Sequence, residues 1–248
     1  MTLNLSVSPD FPPSHLSGWF IFNTWLQRQL GTGVHLELYD SFEAQREDIR
    51  SGKIDLIYAN PYDASMLVRE LGFKVLVRPR NLSDETLIAT LASDPRETVE
   101  DLESGITVAT TADPDVHTMG MIMLESADLD GSNVTFLELD SYVLVAKALL
   151  NGNADVGFFL QAGYDELSEL IRKQMKPLVN SQISVVHHTL VAGPRMEQYI
   201  PLLLERLTNM EHDPKGQDVL KSMGLDGWDQ MHEEQTEFMI DLIDTLID

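Results

Sequence analysis

Leu36-Glu37-Leu38-Tyr39-Asp40-Ser41-Phe42 opens one segment of this chain, and Leu137-Glu138-Leu139-Asp140-Ser141-Tyr142 opens a second whose serine follows the first one hundred residues on. Each segment continues through a helical stretch and closes alike, as Gly52-Lys53-Ile54-Asp55-Leu56-Ile57-Tyr58 and as Gly152-Asn153-Ala154-Asp155-Val156-Gly157-Phe158. Each reads as a strand, a loop with an N-capping Ser or Asp, a helix stopped by Gly, and an apolar strand opened by Asp. A further strand and an amphipathic helix precede each echo. Leu3–Val7 leads to Trp19, Phe22, Leu26 and Leu30 on one helical face, and Ile106–Ala109 leads to a stripe of Met119, Ile122 and Met123.

Two such βαβαβ units predict an α/β fold of two lobes with largely parallel sheets, because parallel neighbours need helical crossovers. Thr86–Ala92, ended by Ser93-Asp94-Pro95, and Ile183–Ala192, ended by Gly193-Pro194, read as two crossing strands that form a hinge. The expected division is therefore residues 1–90 plus 190–248 for one lobe and 91–189 for the other. Beyond residue 195 the chain reads as helical: Tyr199 to Met210, Pro214 to Met223, and an acidic terminal helix from about Asp229. Met231, Phe238, Leu242 and Leu246 are that last helix's apolar positions.

The 248 residues include 17 Lys+Arg against 40 Asp+Glu, a formal charge of −23 that excludes a basic nucleic-acid binder. No apolar run approaches the roughly 20 residues of a membrane-spanning helix. The absence of Cys removes disulfides, thiolate metal sites and cysteine nucleophiles together. No nucleophile elbow, P-loop, His-Glu-x-x-His or dinucleotide fingerprint is present, so neither a cofactor nor a metal is expected and binding is preferred to catalysis. His187 and His188 are consecutive and face opposite ways on a strand, which gives them structural roles. Trp19 and Trp25 belong to a helix core, and Asp55 and Asp155 are architectural, at strand starts.

In two-lobed α/β proteins ligands bind where loops and helix N-termini converge at the carboxyl ends of strands. Those loops are rich in hydroxyls and rings. They nominate Tyr58, Asn60 and Tyr62 from the first lobe, and Thr110, Thr111, His117, Thr118, Ser141 and Tyr142 from the second, as ligand contacts. His117 reads equally well as a surface residue at a helix start. With no Lys or Arg in these loops, helix N-termini and neutral dipoles are expected to hold an oxyanion or a small zwitterion.

The order of these elements, with Asn60-Pro61-Tyr62 after Asp55-Leu56-Ile57-Tyr58, Glu97–Leu102 before Ile106–Ala109, the Asp113-Pro114 turn and Ala154-Asp155-Val156-Gly157, resembles the phosphate/phosphonate-type solute-binding proteins of ABC importers over residues 3 to 195. The resemblance implies a type-II periplasmic-binding-protein fold with two lobes that close on a solute. It also implies an importer permease as partner and a periplasmic location. The start Met1–Val7 has no basic leader, so that location requires an upstream signal or lipid anchor in the gene. A cytoplasmic ligand-sensing or partner-binding module on the same fold is the alternative, and an enzyme on it a more distant one. The sequence departs from the family's hydroxyl-rich loop at Asp115-Val116-His117-Thr118-Met119-Gly120, has Tyr142 where a histidine is common, and has Asp84-Glu85-Thr86 where an aromatic is expected. Asp115 tilts the ligand toward one with an amine or a protonated oxygen.

Overall fold

The computed structural model describes residues 2–247. Contacts divide the chain into two compact units, one formed by the residues up to Ser83 together with His187–Leu246, the other by Asp84–Val186.

Among the described residues the first unit holds a six-stranded sheet made of β1 (Leu3–Val7), β2 (Val34–Glu37), β3 (Leu56–Ala59), β4 (Lys74–Pro79), β10 (Thr189–Ala192) and β11 (Trp228–Gln230), in the order β11-β4-β10-β3-β1-β2. The second holds a five-stranded sheet of β5 (Thr86–Leu91), β6 (Thr107–Thr110), β7 (Thr135–Glu138), β8 (Val156–Leu160) and β9 (Met175–Asn180), ordered β7-β6-β8-β5-β9. The repeat is visible in the pairing: β2-β1-β3 and β7-β6-β8 are each parallel triplets. Each triplet is extended by antiparallel strands, β10 beside β3 and β5 beside β8.

The helices are α1 (Leu16–Leu30), α2 (Phe42–Arg50), α3 (Pro114–Leu124), α4 (Tyr142–Leu150), α5 (Gln161–Asp165), α6 (Glu169–Arg172), α7 (Ile200–Thr208), α8 (Pro214–Ser222) and α9 (Glu233–Ile247). Both faces of each sheet are covered, so the strands carry apolar residues on both sides. In the first unit Trp19, Phe22 and Leu26 of α1, Leu203 and Leu207 of α7, and Val219 and Leu220 of α8 pack with Leu5, Val7 and Leu190. Ile49 of α2 packs with Ile57, Ala59 and Val191 on the other face. In the second unit Val145 and Leu149 of α4 meet Phe159 on one face, and Val116 and Leu124 of α3 meet Phe158 and Val108 on the other.

The echo is built alike in both units. Ser41 accepts from Ala44 N at 3.2 Å to cap α2, and Ser141 from Leu144 N at 3.4 Å to cap α4. Gly52 and Gly152 follow those helices at φ 73° and 72°, a left-handed conformation that costs glycine nothing.

Four sequence expectations are corrected. β5 pairs with β8 and β9, so it belongs wholly to the second unit, and the division falls at Ser83/Asp84 and Val186/His187 rather than at 90/91 and 189/190. Regular strand in the returning segment begins only at Thr189. On α3 the buried residues are Val116, Gly120 and Leu124, not Met119, Ile122 and Met123, because a side chain at Gly120 would meet the Phe158 ring and the helix packs through that gap. Residues 228–230 form β11 on the edge of the sheet, and the terminal helix begins at Glu233. Its buried residues are Met239, Ile240 and Ile243, while Phe238 is exposed.

Candidate functional site

In the first unit the loop after β1 turns Asp10 inward until its side chain is only 4% exposed. Asn60, at the end of β3, donates from Nδ2 to Asp10 Oδ2 at 2.8 Å and caps the turn at Pro61 by accepting from Tyr62 N at 3.0 Å. His188, just ahead of β10, places Nε2 3.0 Å from the same Asp10 oxygen. Its ring stacks on Tyr58, centroid to centroid at 5.2 Å and 24°. Tyr58 in turn lies 4.8 Å from Trp19 and 6.1 Å from Trp228. Burial pushes the Asp10 carboxyl up, but the charge on His188, with the hydrogen-bonding groups of His188, Ser8 and Asn60, outweighs it and holds Asp10 down at about 2. Asp10 Oδ1 and Thr189 Oγ1 are buried and meet no hydrogen-bond partner among the described residues.

Beside this cluster the Arg46 guanidinium lies over the rings of Phe42 and Tyr62, at 5.4 and 5.0 Å, and its Nε donates to Asp63 at 2.6 Å. Burial raises the Asp63 carboxyl above its ordinary value despite that partner. Arg46 was invisible to a reading confined to loops, because it sits one turn inside α2.

In the second unit the equivalent position, three residues beyond β6, is Asp113, also buried. Its Oδ1 caps α3 by accepting from Asp115 N and Val116 N at 3.1 and 3.4 Å, and its Oδ2 accepts from the Tyr142 hydroxyl at 3.0 Å. The carboxylate therefore fills the positive end of α3, which corrects the expectation that this terminus is open to an anion. Thr110 is buried at the end of β6, and Thr111 follows, with its hydroxyl 3.4 Å from Asp113 N. The Tyr142 ring is seated against Gly163, where a Cβ would come within 2.4 Å of it.

Of the nominated residues, Tyr58 and Asn60 gather round Asp10, and Thr111, Ser141 and Tyr142 surround Asp113 and the start of α4, with Thr110 adjoining. Tyr62 is directed to Arg46. His117 is turned against Phe136 of β7 at 4.9 Å, where burial lowers its pKa while Glu138 opposes, and Thr118 follows it on α3. His187 and His188 do part to opposite sides. The first accepts on Nε2 from Arg78 Nη1 at 2.7 Å and donates from Nδ1 to Leu82 O at 2.8 Å, which makes it the neutral Nδ1–H tautomer. The second joins the Asp10 cluster, a role that strand alternation alone did not reveal. Among the described residues no group of His, Asp or Glu could hold a metal ion, and no helix is long and apolar enough to cross a membrane.

Two parallel triplets flanked by antiparallel strands, with polar and aromatic groups gathered at their carboxyl ends, define a protein of the two-unit α/β class. The sequence profile of the family described as "ABC transporter, phosphonate, periplasmic substrate-binding protein" matches residues 5–236, and the chain belongs to that family of transporter binding components. It is thus a solute-binding component of an importer that works with a membrane permease, not an enzyme. No curated protein matches it in sequence. Among solved structures, PhnD1 from Prochlorococcus marinus in complex with methylphosphonate is similar with a TM-score of 0.84 at 12% identity, over 99% of this chain and 98% of that one. A binding-protein component of an ABC phosphonate transporter from Pseudomonas aeruginosa gives 0.80 at 15%, over 100% and 89%. The aliphatic sulphonate binding protein SsuA from Escherichia coli gives 0.68 at 15%, over 99% and 86%. At these identities the likeness speaks for the fold.

Proposed function

We propose that the protein reversibly binds a small phosphonate-like oxyanion or zwitterionic solute in the periplasm, with Tyr58 and Asn60 of the first unit and Thr110, Thr111, Ser141 and Tyr142 of the second supplying contacts. Tyr62, His117 and Thr118 are the outer members of the nominated set. The observation that carries this reading is the character of the strand ends. Each presents hydroxyl, amide and ring groups organised round a buried carboxylate, and the Arg46 guanidinium beside the first is turned to Asp63. Neutral donors suit an anion whose own protons or amine can answer the carboxylates.

Thermal shift and calorimetry with methylphosphonate, phosphate, sulfate, amino acids and polyamines, each at two salt concentrations, test it. Stabilisation by an oxyanion or an amino-acid-like zwitterion that survives added salt is the expected result. Stabilisation by polyamines alone, or by none of these, overturns it.

A further inference from the structure

We propose that Asp10 is a positioning residue of the solute site, holding Asn60 and His188 and, through the His188 ring, Tyr58, in the arrangement that binds the solute. The inference rests on the reading of Tyr58 and Asn60 as solute contacts.

A single carboxylate oxygen, Asp10 Oδ2, takes both the Asn60 amide at 2.8 Å and His188 Nε2 at 3.0 Å. These partners lie 50 and 178 residues away, so the carboxylate ties together three separate parts of the first unit. Asn60 is 1% exposed and His188 7%, so neither side chain has water as a substitute partner. The imidazole carries the tie to a third residue by stacking on Tyr58, which also lies against Trp19 and Trp228. The charge is part of the device. An ionised Asp10 favours protonated His188, and the pair's mutual attraction is strong because both side chains are buried, at 4% and 8% exposure. Among the titratable and charged groups near this pair are Tyr58 from β3, stacked on His188, and, beyond Asn60, Asp63 from the turn after it, which feels the charge of Asp10 and is paired with Arg46. A neutral isostere at position 10 keeps the shape and an acceptor, and removes the charge that sets the His188 proton.

Asp10→Asn and His188→Gln, each confirmed as folded by circular dichroism, are compared with the wild type in two measurements. Calorimetric titration with methylphosphonate and with inorganic phosphate runs from about pH 5 to 8, the span in which a histidine changes charge. NMR of the His188 ring follows its protonation over the same span without solute. The expected result is a roughly tenfold to hundredfold loss of affinity in both variants, the scale of one charge-assisted hydrogen bond. The pH dependence of binding seen in the wild type moves to lower pH in Asp10→Asn, together with His188 deprotonation. Wild-type affinity and an unmoved pH profile in both variants overturn the inference while leaving the solute-binding reading intact. If the wild type binds neither probe, that reading fails for them. The inference is then judged on the ring signals, and is overturned if the Tyr58 and His188 resonances of Asp10→Asn match the wild type.

Discussion

Asp55 and Asn4 hold each other twice: Asp55 N donates to Asn4 O at 2.9 Å, and Asn4 N donates to Asp55 Oδ2 at 2.8 Å. Asp155 and Thr107 repeat the ring in the second unit, with both bonds at 2.8 Å. The aspartate that opens the third strand of each triplet thus fixes its register against the first. Asp55 also pairs with Arg195 Nε at 2.5 Å and is 1% exposed, whereas the Asp155 side chain is 44% exposed. Asp55→Ala is therefore expected to cost about 1.5–3 kcal/mol, the range for losing a hydrogen bond to a charged group, and Asp155→Ala less. Urea denaturation of the two variants checks the order, and equal losses contradict it.

Acid should weaken the fold through Asp10. Its folded-state pKa of about 2 lies below the ordinary aspartate value of 3.8, so folding favours the ionised form. The stabilisation is complete above the unfolded value and is lost as pH falls through the folded one, a contribution on the order of 2 kcal/mol. Asp94 of the second unit, drawn down to about 2 first by its hydrogen bonds from Arg96, works in the same direction. Urea midpoints measured between about pH 2 and pH 5 should fall steeply for the wild type and less for Asp10→Asn. Parallel curves refute the assignment to Asp10.

Gly163→Ala tests the seat of Tyr142. The added methyl would sit 2.4 Å from the ring, so the tyrosine must move and give up its bond to Asp113. A loss of about 1–3 kcal/mol in stability is expected from overpacking, along with weaker solute binding. Unchanged affinity in a destabilised but folded variant removes Tyr142 from the contacts.

Arg69 meets three carboxylates of α9, at Glu237, Asp241 and Asp244. These groups are solvent-exposed, and the helix is also held by buried Met239, Ile240 and Ile243. Arg69→Gln should lower Tm at low salt, because three like charges lose their common partner, and the deficit should shrink as salt rises. A deficit that does not change with salt assigns Arg69 a packing role instead.

The repeat was legible because its signals are local. Ser41 and Ser141 cap helices, Gly52 and Gly152 stop them, and Asp55 and Asp155 open strands, each within a few residues of what it governs. Periodicity served α1, where Trp19, Phe22 and Leu26 are buried as read. It failed on α3, where nearly every residue is apolar and a glycine contact decides which face goes in. It failed again on α9, where Phe238 was assigned inward and Ile240 and Ile243 were passed over. Around Asp10, Tyr58 and Asn60 were nominated from loop position. Asp10, His188 and Arg46 were not, since their roles arise from partners far away in sequence or from the next turn of a helix. The crossing strands were recognised but divided too late, because strand pattern alone does not say which sheet a strand will join.

The two units differ in how the chain enters them. The second is one uninterrupted run, Asp84–Val186, while the first is assembled from both ends of the polypeptide. All three tryptophans, Trp19, Trp25 and Trp228, fall in the first, and Trp228, from the far end of the sequence, lies 6.3 Å from Phe22. Indole fluorescence is consequently a private signal of the split unit. In a refolding experiment it reports the moment the carboxyl-terminal segment returns to the amino-terminal one, while peptide-bond absorption reports both units together. A lag of the first signal behind the second would measure the time the chain spends waiting for its own ends to meet.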